Sequence, residues 1–478
     1  MALWEVGSGK TYSTIQAACD ALYAYVVGTT FTETQTIKVY NGTYTETVTP
    51  NAGLKPTAAF RLVITAAQDN TPVVNGSSIR AAGFSTSDIS YVTLSGFIVT
   101  AVTGQGIYFT GSTFAIVTGN TCYSCIYGIR IATSTSTKVY NNISYSNTYG
   151  IYNNGTSSLE IYSNTCYSNT TAGIYSTGTC TSSIYYSNIC YSNQRGFAVE
   201  ASSISIYNNT VYSNTLLGIS LSSSYTGLNV YNNIIYSNVG SGIVCNASSP
   251  NIYGNFIYLN TSAGITTASS TVTPKIYGNW IFNNTTSGIN AGSGASAHLI
   301  YNNVIVGISP ILIEQVTLME VYNNTCYSTS GSAFRVFGTS SNNTVKNNIL
   351  FNAGTLASQY CIEVGTSAMT GFISDNNDLY KTSGTANTGF WTTAQSTLAN
   401  WRTASSQDAA SIAADPLFVG APNINQDSYK LQRTSPCRRI GADLSGTFTT
   451  DFYNLLRRLP WHLGAIINSD EVLTRIVI

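Results

Sequence analysis

Apolar and polar positions alternate with a period of two over short runs, and those runs recur along the chain. VYNNISYSNTYGI (139–151), IYSNTCYSNTTAGI (161–174), VYNNIIYSNVGSGI (230–243) and IYGNFIYLNTSAGI (252–265) are one pattern. Period-two alternation marks β-strands. Val139 is expected to point inward and Tyr140 outward, the inward position recurring two residues after Asn142. Anchored on the second Asn of each Y-N-N or Y-x-N unit, the repeat runs through Asn120, Asn142, Asn164, Asn188, Asn209, Asn233, Asn255, Asn279, Asn303, Asn324 and Asn348, in steps of 21 to 24 residues. A period of about 23 residues is that of a solenoid coil. Brief strands, polar bends and no helical periodicity predict three strands per coil in a parallel β-helix. Each coil of such a fold buries its apolar edge only by stacking on its neighbours.

The repeat sorts the side chains into columns. Two residues before the anchor stand Tyr140, Tyr162, Tyr186, Tyr207, Tyr231, Tyr253, Tyr277, Tyr301 and Tyr322. Three residues after it stand Tyr123, Tyr145, Tyr167, Tyr191, Tyr212, Tyr236, Tyr258, Phe282 and Tyr327. A second Asn column follows at Asn147, Asn169, Asn193, Asn214, Asn238, Asn260 and Asn284. Asn tolerates a left-handed bend and its amide can bond the coils on either side, so both Asn columns are expected to form ladders and the tyrosines to stack. The first Tyr column is also the candidate surface for contact with glycan or with like subunits. Cys122, Cys166, Cys190 and Cys326 share an inward column with Val211, Ile235, Ile257, Ile281 and Ile305, where a small hydrophobe is wanted. Cys122 and Cys125 have CxxC spacing, but no second pair accompanies them, so zinc is not expected.

Composition narrows the function. Charged residues make up 8% of 478, with 20 Lys+Arg against 20 Asp+Glu. So few cations cannot line a nucleic-acid face, and no apolar stretch is long enough to span a bilayer. The first residues show no secretory signal. Gly7-Ser8-Gly9-Lys10-Thr11 mimics the end of a phosphate loop, but Trp4 stands where that motif needs glycine.

The opening WEVGSGKTYSTIQAACDAL, with IKVYNGTYTETVTP (37–50) and RLVITAAQDNTPVVNGSS (61–78), resembles the start of right-handed parallel β-helix proteins of the pectate-lyase-like superfamily. SDNNDLY (374–380), LANWRTASSQDAASIAADPLFV (398–419), YKLQRTSPC (429–437) and TDFYNLLRRLPWHLGA (450–465) are similar to the closing segment of many such proteins, departing from it at Cys437-Arg438-Arg439. The resemblance implies an all-β fold: a single-stranded right-handed parallel β-helix solenoid with an N-terminal capping helix and a C-terminal closing region. The expected divisions are 1–90 for the cap and first coils, 91–354 for the regular coils, and 355–478 for the last coils and closing segment. In character the chain is nearest to phage tailspike-like or structural β-helix proteins; the superfamily also holds lyases, hydrolases and epimerases, and fold alone does not choose among them.

Catalysis on the coils would need charge, and residues 91–370 hold eleven charged side chains and no Asp. Glycosidic hydrolysis needs two carboxylates about 5–9.5 Å apart. Glu160 shares a column with Lys138 on the adjacent coil, which predicts a surface ion pair. Arg130 and Glu200 fall on one strand face three coils apart, about 14 Å. Glu160, Glu200 and Arg130 are therefore weak catalytic candidates, and no catalytic residue is assigned. Asp375 and Asp378 are weak metal candidates; no metal and no cofactor is expected. Arg438, Arg439, Arg457 and Arg458 lie near Asp443 and Asp451, where ion pairing is expected.

These observations point to a non-enzymatic surface β-helix protein, such as a virion tail or capsid-decorating component, that contacts cell-surface glycan or self-associates. One alternative is a polysaccharide lyase or glycoside hydrolase; another is an extracellular filament or coat protein of a microbe. The expected partners are glycan or like subunits in an ordered homo-oligomer, with no nucleic acid and no membrane insertion, at a virion surface or outside the cell.

Overall fold

The computed structural model describes residues 4–222, 225–268, 273–292 and 297–467. The chain forms two compact units, Met1–Asn229 and Val230–Ile478.

In the first unit each coil contributes one strand to each of three parallel sheets, as the alternation predicts. Lys138–Tyr140, Ile143–Tyr145 and Tyr149–Asn154 form one such coil. Successive coils pair in register, with Val139 opposite Ile161, Ser144 opposite Cys166 and Ile151 opposite Ile174. The inward residues Val139, Ile151, Ile161, Cys166, Cys190 and Val211 are fully buried. All ten cysteines are buried and free, so the Cys column is packing.

The anchor asparagines do more than tolerate a bend. The left-handed conformation belongs to the residue before each one: Asn141, Ser163, Ser187 and Asn208, with φ between 54° and 56°. The anchor itself turns its amide inward. Asn142 Nδ2 donates to Tyr140 O across the corner (2.9 Å), to Val117 O of the preceding coil (2.9 Å) and to Asn164 Oδ1 of the next (3.0 Å). One side chain thus pins the strained corner and locks three coils, which is why a serine can sit at positive φ beside it. The second column repeats this through Asn147, Asn169, Asn193 and Asn214, behind left-handed Ser146, Ser168, Ser192 and Ser213.

Outside, the tyrosines stack. Tyr140, Tyr162, Tyr186 and Tyr207 follow at 4.8–5.2 Å with planes 6–7° apart. Tyr123 to Tyr212 form a second stack at 4.8–5.1 Å. The open end of the unit is covered by α1 (Ile15–Val26), which buries Ile15, Ala18, Cys19, Leu22 and Val26. Its N-terminus is closed by the Thr14 side chain and by Glu46, whose carboxylate accepts from Ile15 N (2.8 Å) and Gln16 N (2.9 Å).

The second unit has the same coil plan, and its ladder runs Asn233, Asn255, Asn279, Asn303, Asn324, Asn348 and Asn377. The ladder ends on Asp408, whose Oδ1 accepts from Asn377 Nδ2 (3.1 Å) and whose Oδ2 accepts from Trp401 Nε1 (2.7 Å). Trp401 is fully buried on α2 (Leu398–Ser405), against Gly389 of the last parallel strand, where any side chain would strike its ring.

The closing segment then folds back over the outer face of the second sheet. Trp280, Phe282, Val304, Val306, Tyr327, Ile349 and Phe351 of the coils pack with Tyr429, Leu431, Cys437, Leu463, Ala465 and Ile466. Corner asparagines hold it in place. Asn302 bonds Thr450 O and Arg457 Nη2, Asn323 bonds His462 O and Gly464 O, Asn347 bonds both the N–H and C=O of Ala442, and Asn376 bonds Ile440 O. Ion pairing is expected around Asp443 and Asp451, but the hydrogen bonds of Arg457 and Asp451 go instead to the backbone and to Asn302. Buried Arg457 donates to Asn302 Oδ1 (2.7 Å), Gly464 O (2.9 Å) and Ala465 O (3.0 Å), while Asp451 accepts N–H groups of Tyr453, Leu455 and Ile467.

Candidate functional site

The charged residues of the first unit divide between faces. Glu160 lies on the first sheet and pairs with Lys138 at 3.2 Å, both part-exposed, as the shared column predicts. Arg130 and Glu200 lie on the outer face of the third sheet. The strands there are Gln105–Thr110, Tyr127–Ala132, Tyr149–Asn154, Ala172–Thr177 and Arg195–Glu200. Register places Tyr108, Arg130, Tyr152, Tyr175 and Ala198 in one outward column, flanked by Tyr127, Tyr149, Ala172 and Arg195 on one side and by Asn154, Thr177 and Glu200 on the other.

The tyrosines join what the sequence leaves apart. The Arg130 guanidinium sits 5.1 Å from the ring centres of Tyr108 and Tyr127 and 5.6 Å from that of Tyr152. Tyr152 stacks on Tyr175 at 5.2 Å, and the Tyr175 hydroxyl donates to Glu200 Oε2 at 2.7 Å. Tyr149 packs against Tyr127, Tyr152 and Tyr175 at 5.1–5.3 Å. Burial pushes the Tyr175 phenol well up, and the hydrogen bond to Glu200 adds to it, so the proton stays on the phenol. Burial also raises Tyr149 and Tyr152, followed in each case by the neighbouring Tyr127 ring. Arg195 shares the column of Tyr149, and its Nε is buried without an acceptor. Glu200 is the one carboxylate among the described outward residues of these strands.

This face and the Tyr140 column are built differently. In the column, parallel rings 4.8–5.2 Å apart cover one another's faces and leave edges outward; in the second unit Tyr301 is stacked by Phe448 at 4.5 Å, and Tyr322 is buried. On the third sheet several rings meet at 25–56° around a guanidinium, which leaves ring faces and polar edges side by side. The sequence signal for it is the G-I-x triplet: Gly106-Ile107-Tyr108, Gly128-Ile129-Arg130, Gly150-Ile151-Tyr152 and Gly173-Ile174-Tyr175. The Asn-anchored columns dominate the repeat and mask this triplet.

The metal candidates are otherwise engaged. Asp375 Oδ1 accepts from Asn376 N and Ala410 N (2.9 and 2.7 Å). Buried Asp378 accepts from Ala414 N at 3.1 Å and from the Cys437 thiol at 3.2 Å. Among the described residues no group of three or more His, Cys, Asp or Glu is placed to hold a metal ion, and no helix is long and apolar enough to cross a membrane.

A parallel β-helix whose outer face carries tyrosines and arginines is the class of molecule these observations define. Residues 79–235 match the family model for the right-handed β-helix region, and the fold is that of pectate-lyase-like and tailspike-like structures. Among solved structures the chain is similar to a mutant tailspike protein of E. coli bacteriophage HK620 in complex with pentasaccharide. That match is 11% identical, covers 75% of this chain and 76% of that one, and has a TM-score of 0.51. It is also similar to the A-module of a mannuronan C-5 epimerase of Azotobacter vinelandii (15% identity, 84% and 94% covered, TM-score 0.45) and to an alginate lyase of a Paenibacillus species (12%, 60% and 92%, TM-score 0.36). No curated protein sequence matches it. At 11% identity the tailspike likeness shows the fold alone.

Proposed function

We propose that this protein engages an extended polysaccharide along the third-sheet face of its first unit, around Tyr108, Tyr127, Arg130, Tyr149, Tyr152 and Tyr175. The observation that carries the reading is the tyrosine bridge from Arg130 to Glu200, which turns two distant charges into one surface. Aromatic faces suit the apolar sides of sugar rings, while phenol and guanidinium edges suit their hydroxyls. Two guanidiniums against one carboxylate favour a glycan that carries carboxylates, since arginine binds these in a planar fork. The pentasaccharide in complex with the tailspike of similar fold supports an oligosaccharide as the class of ligand. A virion or cell-surface setting, with like subunits assembled on it, is where a binder of this kind would work.

A second reading, cleavage of that glycan, is favoured by the Tyr175–Glu200 contact at 2.7 Å. Here an arginine neutralises a uronate carboxylate and Glu200 takes the proton next to it. The bond to the leaving sugar breaks as the ring double bond forms, and Tyr175 protonates the leaving oxygen. Two-carboxylate hydrolysis fits less well, because Glu200 has no carboxylate partner among the described residues of this face.

The test is a panel of acidic and neutral polysaccharides, assayed for retention and for unsaturated products by ultraviolet absorbance. Tyr152→Ala is expected to weaken retention at least about tenfold, or ~1.4 kcal/mol. Under the second reading Tyr175→Phe retains binding and loses turnover. Retention of no polysaccharide, or retention unchanged in Tyr152→Ala, would overturn the proposal.

A further inference from the structure

In the second unit, where the closing segment crosses the coils, a cleft of about 620 Å³ opens that belongs to neither the third-sheet face nor the Tyr columns. It opens where glycine stands in place of asparagine at two successive corners. Left-handed corner residues run Asn232, Gly254, Gly278, Asn302, Asn323 and Asn347. From Asn302 onward the corner amides reach out and bind the closing segment. At 278 glycine leaves that space open, and a Cβ there would meet nothing nearer than Gly254 N and the Phe452 carbonyl at 3.9 Å, whereas at 254 an added Cβ would run into the Asn232 side-chain oxygen. Left-handed backbone does not itself demand glycine here, because asparagine occupies the equivalent corner on either side.

What lines the gap is aromatic and amide, with no charged side chain: Phe256, Trp280, Phe452 and Tyr453 beside Asn232 and Asn454. Beside it Lys430 pairs with Asp427 at 3.0 Å, and Asp427 accepts the Tyr453 hydroxyl. Trp280 is 3% exposed and its Nε1 has no acceptor, an unmet donor in the cleft lining. Unmet buried donors are costly and uncommon. The volume lies within the range of about 300–1,000 Å³ typical of small-molecule sites.

We infer that this cleft is a second ligand site, which takes a neutral sugar ring. Rings offer the stacking surface, amides match hydroxyls as donor and acceptor, and the absence of charge selects against acidic sugars. It is independent of the acidic-glycan face proposed above.

The experiment uses the full chain and maltose, cellobiose and lactose as probes, read by saturation-transfer NMR and by tryptophan fluorescence. At least one disaccharide is expected to bind saturably. Gly278→Asn restores the amide found at the other corners; it should weaken binding about tenfold or more without lowering the melting temperature. Asn454→Ala, an exposed position, should weaken it too, whereas Tyr152→Ala should leave it unchanged. No saturable binding of any of the three sugars, or wild-type binding by both Gly278→Asn and Asn454→Ala, would sink the inference. Binding lost in Tyr152→Ala and kept in Gly278→Asn would reassign the sugar to the third-sheet face.

Discussion

Replacing Asn164 by alanine tests whether the inner amide ladder, rather than the visible tyrosine stack, holds these coils in register. Asn164 is 1% exposed. Its Oδ1 accepts from the backbone N–H and the side-chain amide of Asn142, both at 3.0 Å. Its Nδ2 donates to Val139 O (2.8 Å), Tyr162 O (2.9 Å) and Asn188 Oδ1 (3.0 Å). After truncation the Asn142 amide keeps Val117 O and Tyr140 O, and Asn188 Oδ1 keeps the residue-164 N–H. The Asn142 backbone N–H loses its acceptor inside the protein, at about 1–3 kcal/mol, and two carbonyl bonds are lost at about 0.5–1.5 kcal/mol each. The expected destabilisation is therefore about 2–6 kcal/mol. Tyr162→Leu removes two ring stacks, at 4.8 and 4.9 Å, worth about 1–3 kcal/mol together. Urea unfolding gives the two energies, and amide exchange at the Asn142 N–H shows where the loss falls. A loss under about 1 kcal/mol for Asn164→Ala, or one smaller than for Tyr162→Leu, would refute the reasoning.

Other outcomes follow from the closing region and the cysteines. Burial pushes the Asp378 carboxyl up from 3.8 to about 7. The folded state then holds a proton that the unfolded chain has released, so this group makes stability fall as pH rises between those values, by up to ~4 kcal/mol, and stay flat above. Denaturation midpoints at several pH values should show that slope in the wild type and a flatter one in Asp378→Asn. Asn323→Ala removes the bonds to His462 O and Gly464 O and should loosen the closing segment by about 1–3 kcal/mol, read as new protease cleavage within 440–467 while the coils stay intact. Burial pushes the Cys125 and Cys245 thiols up to about 12, and all ten cysteines are free and buried. A thiol reagent should label the native protein slowly and reach ten equivalents on unfolding; rapid native labelling would contradict the packing role of the Cys column.

Counted one at a time, the charges of the coils leave no catalytic residue to assign. Arg130 and Glu200 are indeed three coils apart, as the repeat places them. Tyr152 and Tyr175 lie between them in the same sheet, and their outward direction follows from a strand whose start is set by loops of unequal length. The Tyr140 column was legible as a column, yet only ring geometry shows that its members face one another.

What the sequence determined by itself is everything that repeats. A period of about 23 residues makes residue i the neighbour of its counterpart one coil on, so the Asn ladders, Tyr stacks, inward Cys column and three-strand coil could be read from spacing. The capping helix was legible through the resemblance that TYSTIQAACDAL carries; that Thr14 caps it is seen in the structure. Only the tertiary structure decided the contacts that happen once. Asn302 meets Arg457 across 155 residues and Asn347 meets Ala442 across 95, with no period to announce them. The closing segment lies where Phe256, Trp280 and Val304 make the outer column apolar, and Gly278 leaves it a gap. Repetition encodes register; a single fold-back is encoded by shape and unmet hydrogen bonds, which exist only once the coils are stacked.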